Sequence, residues 1–305
     1  QKLINQVVLI DYTIIILGGN MLTNEMRIKI YEDTINKIKE NENWVCYKEA
    51  IIYGEQYSFH IPSGKYDTAV IVEDIDSYEA IKVFSLEEEK TCVLNFANAY
   101  IPGGGVLKGY SAQEEELCRR SSLHLSLTSE ASSPFYKKNN ECRSLFNGNS
   151  LILSPNVLVI KDKNYELLGE PIDTAVVTMP APNMMSIQAE AFKNDLFMLS
   201  DTDIDRVDFT KEIRKKINLV LEKKMSRILG CMIEQGYVDI VLGAWGAGAF
   251  GHNAYDIAKF FKNVISSNFN GCFRTIVFAV LDNTEEKTKV KAFKDIFEQV
   301  GENDG

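Results

Sequence analysis

Two glycine-rich segments and one Gln-Glu-Glu triplet are the parts of this chain best suited to chemistry. The first segment reads Asn95-Phe96-Ala97-Asn98-Ala99-Tyr100-Ile101-Pro102-Gly103-Gly104-Gly105. Three successive glycines can adopt positive φ and bring the backbone within hydrogen-bonding distance of a ligand; alone, such a stretch is also an ordinary flexible turn. After the intervening residues 106–112 comes Gln113-Glu114-Glu115, at the opening of a predicted helix. Alone, Glu114 to Glu116 reads as a solvated acidic helix start. Together, carboxylates beside a phosphate cradle point to glycosidic chemistry, in which one carboxyl group protonates the leaving oxygen and activates water around an oxocarbenium-like sugar. Adjacent helix residues point about 100° apart, so only one glutamate can face the scissile bond. An acid that donates near pH 7 needs a raised pKa, from desolvation or a neighbouring charge.

The second segment, about 140 residues further on, reads Gly243-Ala244-Trp245-Gly246-Ala247-Gly248-Ala249-Phe250-Gly251-His252-Asn253. It contains G-x-G-x-x-G from Gly246 to Gly251 between a predicted strand and helix, and so offers N–H groups and a helix N-terminus to a diphosphate. Read with Asp282 as a ribose-binding acid, the same unit suggests a dinucleotide-binding βαβ element and an NAD-binding oxidoreductase. That reading leaves Gln113-Glu114-Glu115 unexplained, and too little chain follows for a full dinucleotide domain. Trp245 is read as packing beneath the loop and His252 as helix-capping territory. His60, His124 and His252 show no ligand-like spacing, so no metal is expected.

These residues need strands and helices to hold them. Apolar spacing predicts a helix over 24–40, and β-branched runs predict strands over 68–72 and 91–96. A helix is expected from Gln113 to Leu127, followed by a polar surface excursion over 128–150. Strands follow over 151–160 and 174–179, the latter closed by Pro180-Ala181-Pro182. A long amphipathic helix covers 211–235, with Ile213, Ile217, Leu221, Ile228 and Met232 on one stripe. A βαβα unit completes the pattern: strand 238–242, the second glycine loop, a helix from about Asn253, strand 275–281 and a last helix capped by Asn283. Alternating strands and helices imply an α/β fold with helices on both faces of a sheet.

Bulk properties narrow the partners. The chain has 305 residues, 45% hydrophobic and 25% charged, as expected of one α/β core with additions. A net charge of −10 argues against duplex nucleic acid, although backbone N–H groups can hold a diphosphate without positive side chains. Cys46, Cys92, Cys118, Cys142, Cys231 and Cys272 form no C-x-x-C pair. They read as reduced thiols of a cytoplasmic protein. The apolar run from Val7 to Leu17, broken by Asp11, is too short to span a bilayer. No membrane association is expected, and residues 1–20 read as a leader or appended segment ahead of Met21.

The spacing Gly103-Gly104-Gly105, seven residues, Gln113-Glu114-Glu115 resembles the signature of poly(ADP-ribose) glycohydrolases. Leu94–Gly105, Arg119-Arg120-Ser121-Ser122-Leu123, Ser154-Pro155-Asn156 and Val177–Asn183 are similar to the bacterial-type branch, and the likeness runs from about 24 to 298. The resemblance implies a macrodomain-like three-layer sandwich with a central mixed sheet and an N-terminal helical extension: an accessory region over 21–66 and a catalytic core over 67–305 with an insertion near 128–150. It implies Glu115 as catalytic acid and base, Glu114 orienting the scissile ribose, Gln113 supporting the loop and Asn98 at the ribose. Gly103, Gly104 and Gly105 would line the site. Gly246, Ala247, Gly248, Ala249 and Gly251 would bind the diphosphate, with Phe250 packed on the ribose. Asn95 is read as structural. The expected substrate is poly(ADP-ribose), free or on modified proteins, cut from chain termini to ADP-ribose by a monomer without cofactor. A non-catalytic ADP-ribose-binding macrodomain, or a mono-ADP-ribosyl hydrolase, is the other reading; readers keep the glycine loops and lack the glutamate pair.

Overall fold

The computed structural model describes residues 16–17, 20–41, 44, 48–84, 90–197 and 203–298. Residues 1–15 of the expected leader, and Cys46, lie outside these described residues. Seven strands build one sheet: β3 (Ile51–Tyr53), β4 (Ala69–Glu73), β5 (Cys92–Phe96), β6 (Leu151–Lys161), β7 (Leu167–Met179), β8 (Asp239–Leu242) and β9 (Thr275–Ala279). Their order is β3-β6-β7-β5-β8-β9-β4. β7, β5, β8, β9 and β4 run parallel, while β6 is antiparallel to both its neighbours. A two-residue ribbon, β1 (Ile16–Leu17) with β2 (Asn20–Met21), precedes them.

The central strands carry consecutive buried apolar residues, as at Cys92–Leu94 and Ile240–Leu242, because both faces of the sheet are covered there. Side chains alternate between the faces: Leu94, Val177, Ile240, Leu242, Ile276 and Phe278 enter one core, and Val93, Val176, Val241 and Val277 enter the other. Helices α7 (Asp203–Glu234), α8 (Ala254–Asn268) and α9 (Thr288–Phe297) cover the first face through Ile228, Met232, Ile257, Phe261 and Phe293. Helices α1 (Asn24–Glu40), α2 (Ser77–Phe84), α3 (Gln113–Arg120), α4 (Leu123–Leu127) and α5 (Ser133–Cys142) bring Tyr31, Tyr78, Leu117, Leu123 and Tyr136 to the second. The remaining helix, α6 (Met184–Phe197), follows β7. This is the three-layer α/β sandwich with a mixed sheet that the resemblance implied.

Several local readings are corrected. The helix expected over 113–127 breaks at Ser121, which bridges to Val159 of β6, while the Ser122 hydroxyl accepts from the Leu158 N–H at 2.9 Å. Those exchanges replace the helical bonds that Ser121 and Ser122 would otherwise make. The excursion over 128–150 contains α5, whose Phe135 and Tyr136 are buried, so it is part of the core. Ile51–Tyr53, within the stretch read as accessory helices, pairs with β6 as the edge of the sheet. The last helix begins at Thr288, with Lys287 at its N-cap. Asn283 does not cap it; the buried Asp282 carboxylate instead accepts from Thr284 N at 3.2 Å, Thr284 Oγ1 at 2.8 Å and Lys289 N at 2.8 Å, folding the intervening turn. Helix α8 starts as expected, with the Asn253 side chain accepting from Tyr255 N and Asp256 N.

Candidate active site

The two glycine segments follow β5 and β8, which are hydrogen-bonded parallel neighbours, so both leave the same edge of the sheet. The Pro180–Asn183 segment leaves that edge too, after β7 on the other side of β5. Openings at the carboxyl ends of parallel strands are where open α/β sheets place ligands. Sheet order therefore brings together what about 140 residues of chain separate.

Gln113 joins α3 to the end of β5. Its Oε1 accepts from the Phe96 N–H at 2.9 Å, and its Nε2 donates to the Leu94 carbonyl at 2.9 Å and to Ser77 Oγ at 3.1 Å. The next two side chains are tied to the first loop. Glu114 Oε2 accepts from the Asn98 N–H at 2.7 Å, and Oε1 accepts from Asn95 Nδ2 at 3.2 Å. The Gly103 backbone also bonds this carboxylate. Glu115 Oε1 accepts from the Gly105 N–H at 2.7 Å, whereas Oε2, equally buried, has no partner among the described residues. Glu114 and Glu115 are 3% and 7% exposed, well below what an acidic first turn in water would show. Burial, with the neighbouring Glu115 charge, pushes the Glu114 pKa up to about 8 against the pull of its three N–H donors.

The loop can grip both carboxylates because Gly103 and Gly104 hold φ of 66° and 59°. A Cβ on Gly104 would come within 3.0 Å of Glu114 Oε2, and closer to Glu115 Oε1. Asn98 Oδ1 accepts from Tyr100 N and Ile101 N, so this side chain shapes the turn. Asn95 is buried and bonded to Glu114 and Thr178, consistent with a structural role.

In the second loop the Ala247 and Gly251 N–H groups close internal turns onto Ala244 and Gly248, and His252 N–H bonds Gly246. The N–H groups of Gly246, Gly248, Ala249 and Phe250 meet no acceptor among the described residues, and a Cβ on Gly248 would face open space. These are donors an anion could take. Trp245 lies fully buried beneath them, its Nε1 donating to the Met179 carbonyl at 2.8 Å. His252 is bonded through Nε2 to the Pro182 carbonyl at 2.7 Å, and burial lowers its pKa.

Reading the sequence missed the supports. Asn147 donates to the Ala181 carbonyl at 2.7 Å and accepts from the Tyr100 hydroxyl at 3.0 Å, linking the first loop to the segment after β7. Lys224, fully buried on α7, donates to the Pro180 carbonyl at 3.0 Å and to that of Gly148. Desolvation lowers its pKa to about 7. Lys224 sits on a stripe whose spacing says only that the helix is buried. Among the described residues no group of three or more His, Cys, Asp or Glu side chains could hold a metal ion.

Comparison with known proteins agrees with this geometry. The family model described as microbial-type PARG, catalytic domain, matches residues 15–162. No curated protein sequence matches. Among solved structures, the poly(ADP-ribose) glycohydrolase of Deinococcus radiodurans in complex with ADP-ribose is 27% identical, with a TM-score of 0.72 over 84% of this chain and 97% of that one. The poly(ADP-ribose) glycohydrolase of Thermomonospora curvata is 27% identical, with a TM-score of 0.76 over 90% of this chain and 100% of that one. The same enzyme bound to the inhibitor ADP-HPD matches at 26% identity, with a TM-score of 0.73 over 90% of this chain and 100% of that one.

Proposed function

We propose that the chain is a microbial-type poly(ADP-ribose) glycohydrolase, similar to that family's catalytic domain over residues 15–162, and that it hydrolyses the ribose–ribose O-glycosidic bond of poly(ADP-ribose), releasing ADP-ribose from chain termini, with Glu115 as the acid and base. One observation carries the assignment of roles: of the four oxygens in the buried glutamate pair, only Glu115 Oε2 has no donor among the described residues.

Burial raises the Glu114 pKa to about 8, so this carboxyl group beside Glu115 keeps a proton near neutral pH. Each Glu114 oxygen already faces an N–H group, so Oε2 of Glu115 is the oxygen left to meet the substrate and act as the acid. Donation to the departing ribose oxygen breaks the glycosidic bond with its electron pair and leaves an oxocarbenium-like ribose. The Glu115 carboxylate then takes a proton from water as the water oxygen bonds the anomeric carbon, restoring the acid. Donors at Gly246, Gly248, Ala249 and Phe250 hold the diphosphate, and Phe250 packs on the ribose. Holding the substrate fixed against Glu115 supplies much of the rate. Five described cysteines, at 92, 118, 142, 231 and 272, are free thiols, which supports a cytoplasmic location. No described helix is long and apolar enough to cross a membrane.

Labelled poly(ADP-ribose), chromatography of the products and calorimetry of ADP-ribose binding test this. Wild type should release free ADP-ribose, and Glu115→Gln should turn over at least about 10²-fold more slowly while binding ADP-ribose within a few-fold of wild type. Binding without turnover by the wild type would return the chain to the ADP-ribose readers. The oxidoreductase reading loses its ribose acid, because the Asp282 carboxylate is engaged by Thr284 and Lys289.

A further inference from the structure

His124 lies beneath the first glycine loop. It sits on α4, 6% exposed, with Nδ1 2.6 Å from the Tyr31 hydroxyl of α1. The two rings meet edge to face, 5.3 Å between centroids and 83° between planes. The other side of the imidazole meets the loop: it bonds the Pro102 carbonyl, and a Cβ on Gly103 would fall 2.5 Å from its Cδ2 and 3.2 Å from its Nε2.

A carbonyl accepts only, so the nitrogen facing Pro102 carries the proton. With Nδ1 turned to Tyr31, that nitrogen is Nε2, and Nδ1 is left to accept the Tyr31 O–H. One neutral ring therefore links α1 to the peptide that enters Gly103–Gly105, whose N–H groups at Gly103 and Gly105 hold Glu114 and Glu115. Thr34 ties the same helix to α3 through the Arg119 carbonyl, at 2.7 Å. Helix α1 is thus part of the catalytic frame.

We propose that His124 is a positioning residue for the hydrolysis: as the Nε2–H tautomer, fixed by Tyr31, it holds the Pro102 carbonyl and so sets the glycine turn that aims the glutamate pair. Burial lowers the His124 pKa, in keeping with a ring that works neutral. The proposal rests on the hydrolase reading and adds a residue to it.

The test combines nitrogen-15 NMR of the three histidines, with the His124 signal assigned by its loss in His124→Gln, and kinetics of three variants. Wild type should show His124 protonated at Nε2 and unprotonated at Nδ1. His124→Leu should lower kcat about tenfold with ADP-ribose affinity within about threefold, since the loop turns less accurately while the second loop still holds the diphosphate. His124→Gln carries an amide N–H to roughly the place of Nε2 and should recover most of that loss. Tyr31→Phe frees the tautomer and should lower kcat several-fold. An Nδ1–H tautomer in the wild type overturns the proposal. So does a Gln variant as impaired as the Leu variant, or a Leu variant with the wild-type kcat. If His124→Leu does not fold, the tautomer and the Tyr31→Phe kcat decide. A wild type that releases no ADP-ribose would refute the hydrolase reading instead, with the tautomer still readable.

Discussion

Gly104→Ala probes the link between the first loop and the glutamates most directly. Gly104 sits at φ 59°, where an alanine costs about 1 kcal/mol. Its Cβ would come within 3.0 Å of Glu114 Oε2 and nearer still to Glu115 Oε1, whereas ordinary contact begins at 3.4 Å. The carboxylates or the loop must therefore move on the order of 1 Å, a displacement that can lower a rate about 10²-fold when it misplaces a catalytic group. The 2.7 Å bond from Gly105 N–H to Glu115 would be disturbed by the same shift. We expect kcat on poly(ADP-ribose) to fall about 10²-fold, with unfolding by urea costing only about 1–2 kcal/mol less than for wild type. Gly169→Ala is the control: nothing lies within 4 Å of its Cβ and its φ is not positive, so turnover and stability should both be unchanged. A Gly104→Ala enzyme that keeps kcat within about threefold of wild type, while losing the expected stability, would refute the claim that this turn aims the carboxylates.

Two further predictions concern the frame of the site. Glu114 ionises near pH 8 in the folded chain against an ordinary 4.5, so its contribution to stability is fully present below pH 4.5 and is lost as pH rises through 8. Wild-type urea midpoints should therefore fall across that window, and Glu114→Gln should flatten the fall; an unchanged slope in the variant would place its origin elsewhere. Arg119, fully buried, pairs with Glu116 and donates to the Tyr110 and Arg27 carbonyls. Arg119→Met orphans these acceptors and should cost about 3 kcal/mol, the low end for a broken buried pair because Glu116 keeps 18% of its side chain exposed. A loss under about 1 kcal/mol by urea unfolding would show the pair to be as weak as a surface one.

Much of the fold could be read along the chain because its causes are local. Cys92–Leu94, Ile240–Leu242 and Ile276–Ala279 are apolar at successive positions, the mark of strands buried on both faces. Asn253 announced its helix for the same reason, as a short polar side chain placed before an apolar-periodic stretch. Readings failed where a distant partner outbid a local preference. Ser121 left the helix for a bridge to Val159, and Asp282 took the role expected of Asn283 by folding the turn onto Lys289. Residues 128–150 are polar enough to read as surface, yet Phe135 and Tyr136 find a core beneath α3 that no local spacing reveals.

The order of residues was enough to specify the reactive inventory: two glycine turns that only unhindered backbone can make, an acidic pair at a helix start, and the strand and helix periods that carry them. Tertiary structure decided which of these meet. Pairing β5 with β8 placed the two loops on one edge, burial gave Glu114 its raised pKa, and packing set His124 against Tyr31, 93 residues away. Backbone conformation and periodicity depend on neighbours along the chain and are written there, whereas desolvation and hydrogen-bond partnership depend on which surfaces exclude water from one another, and that exists only once the sheet and its two helical layers have closed.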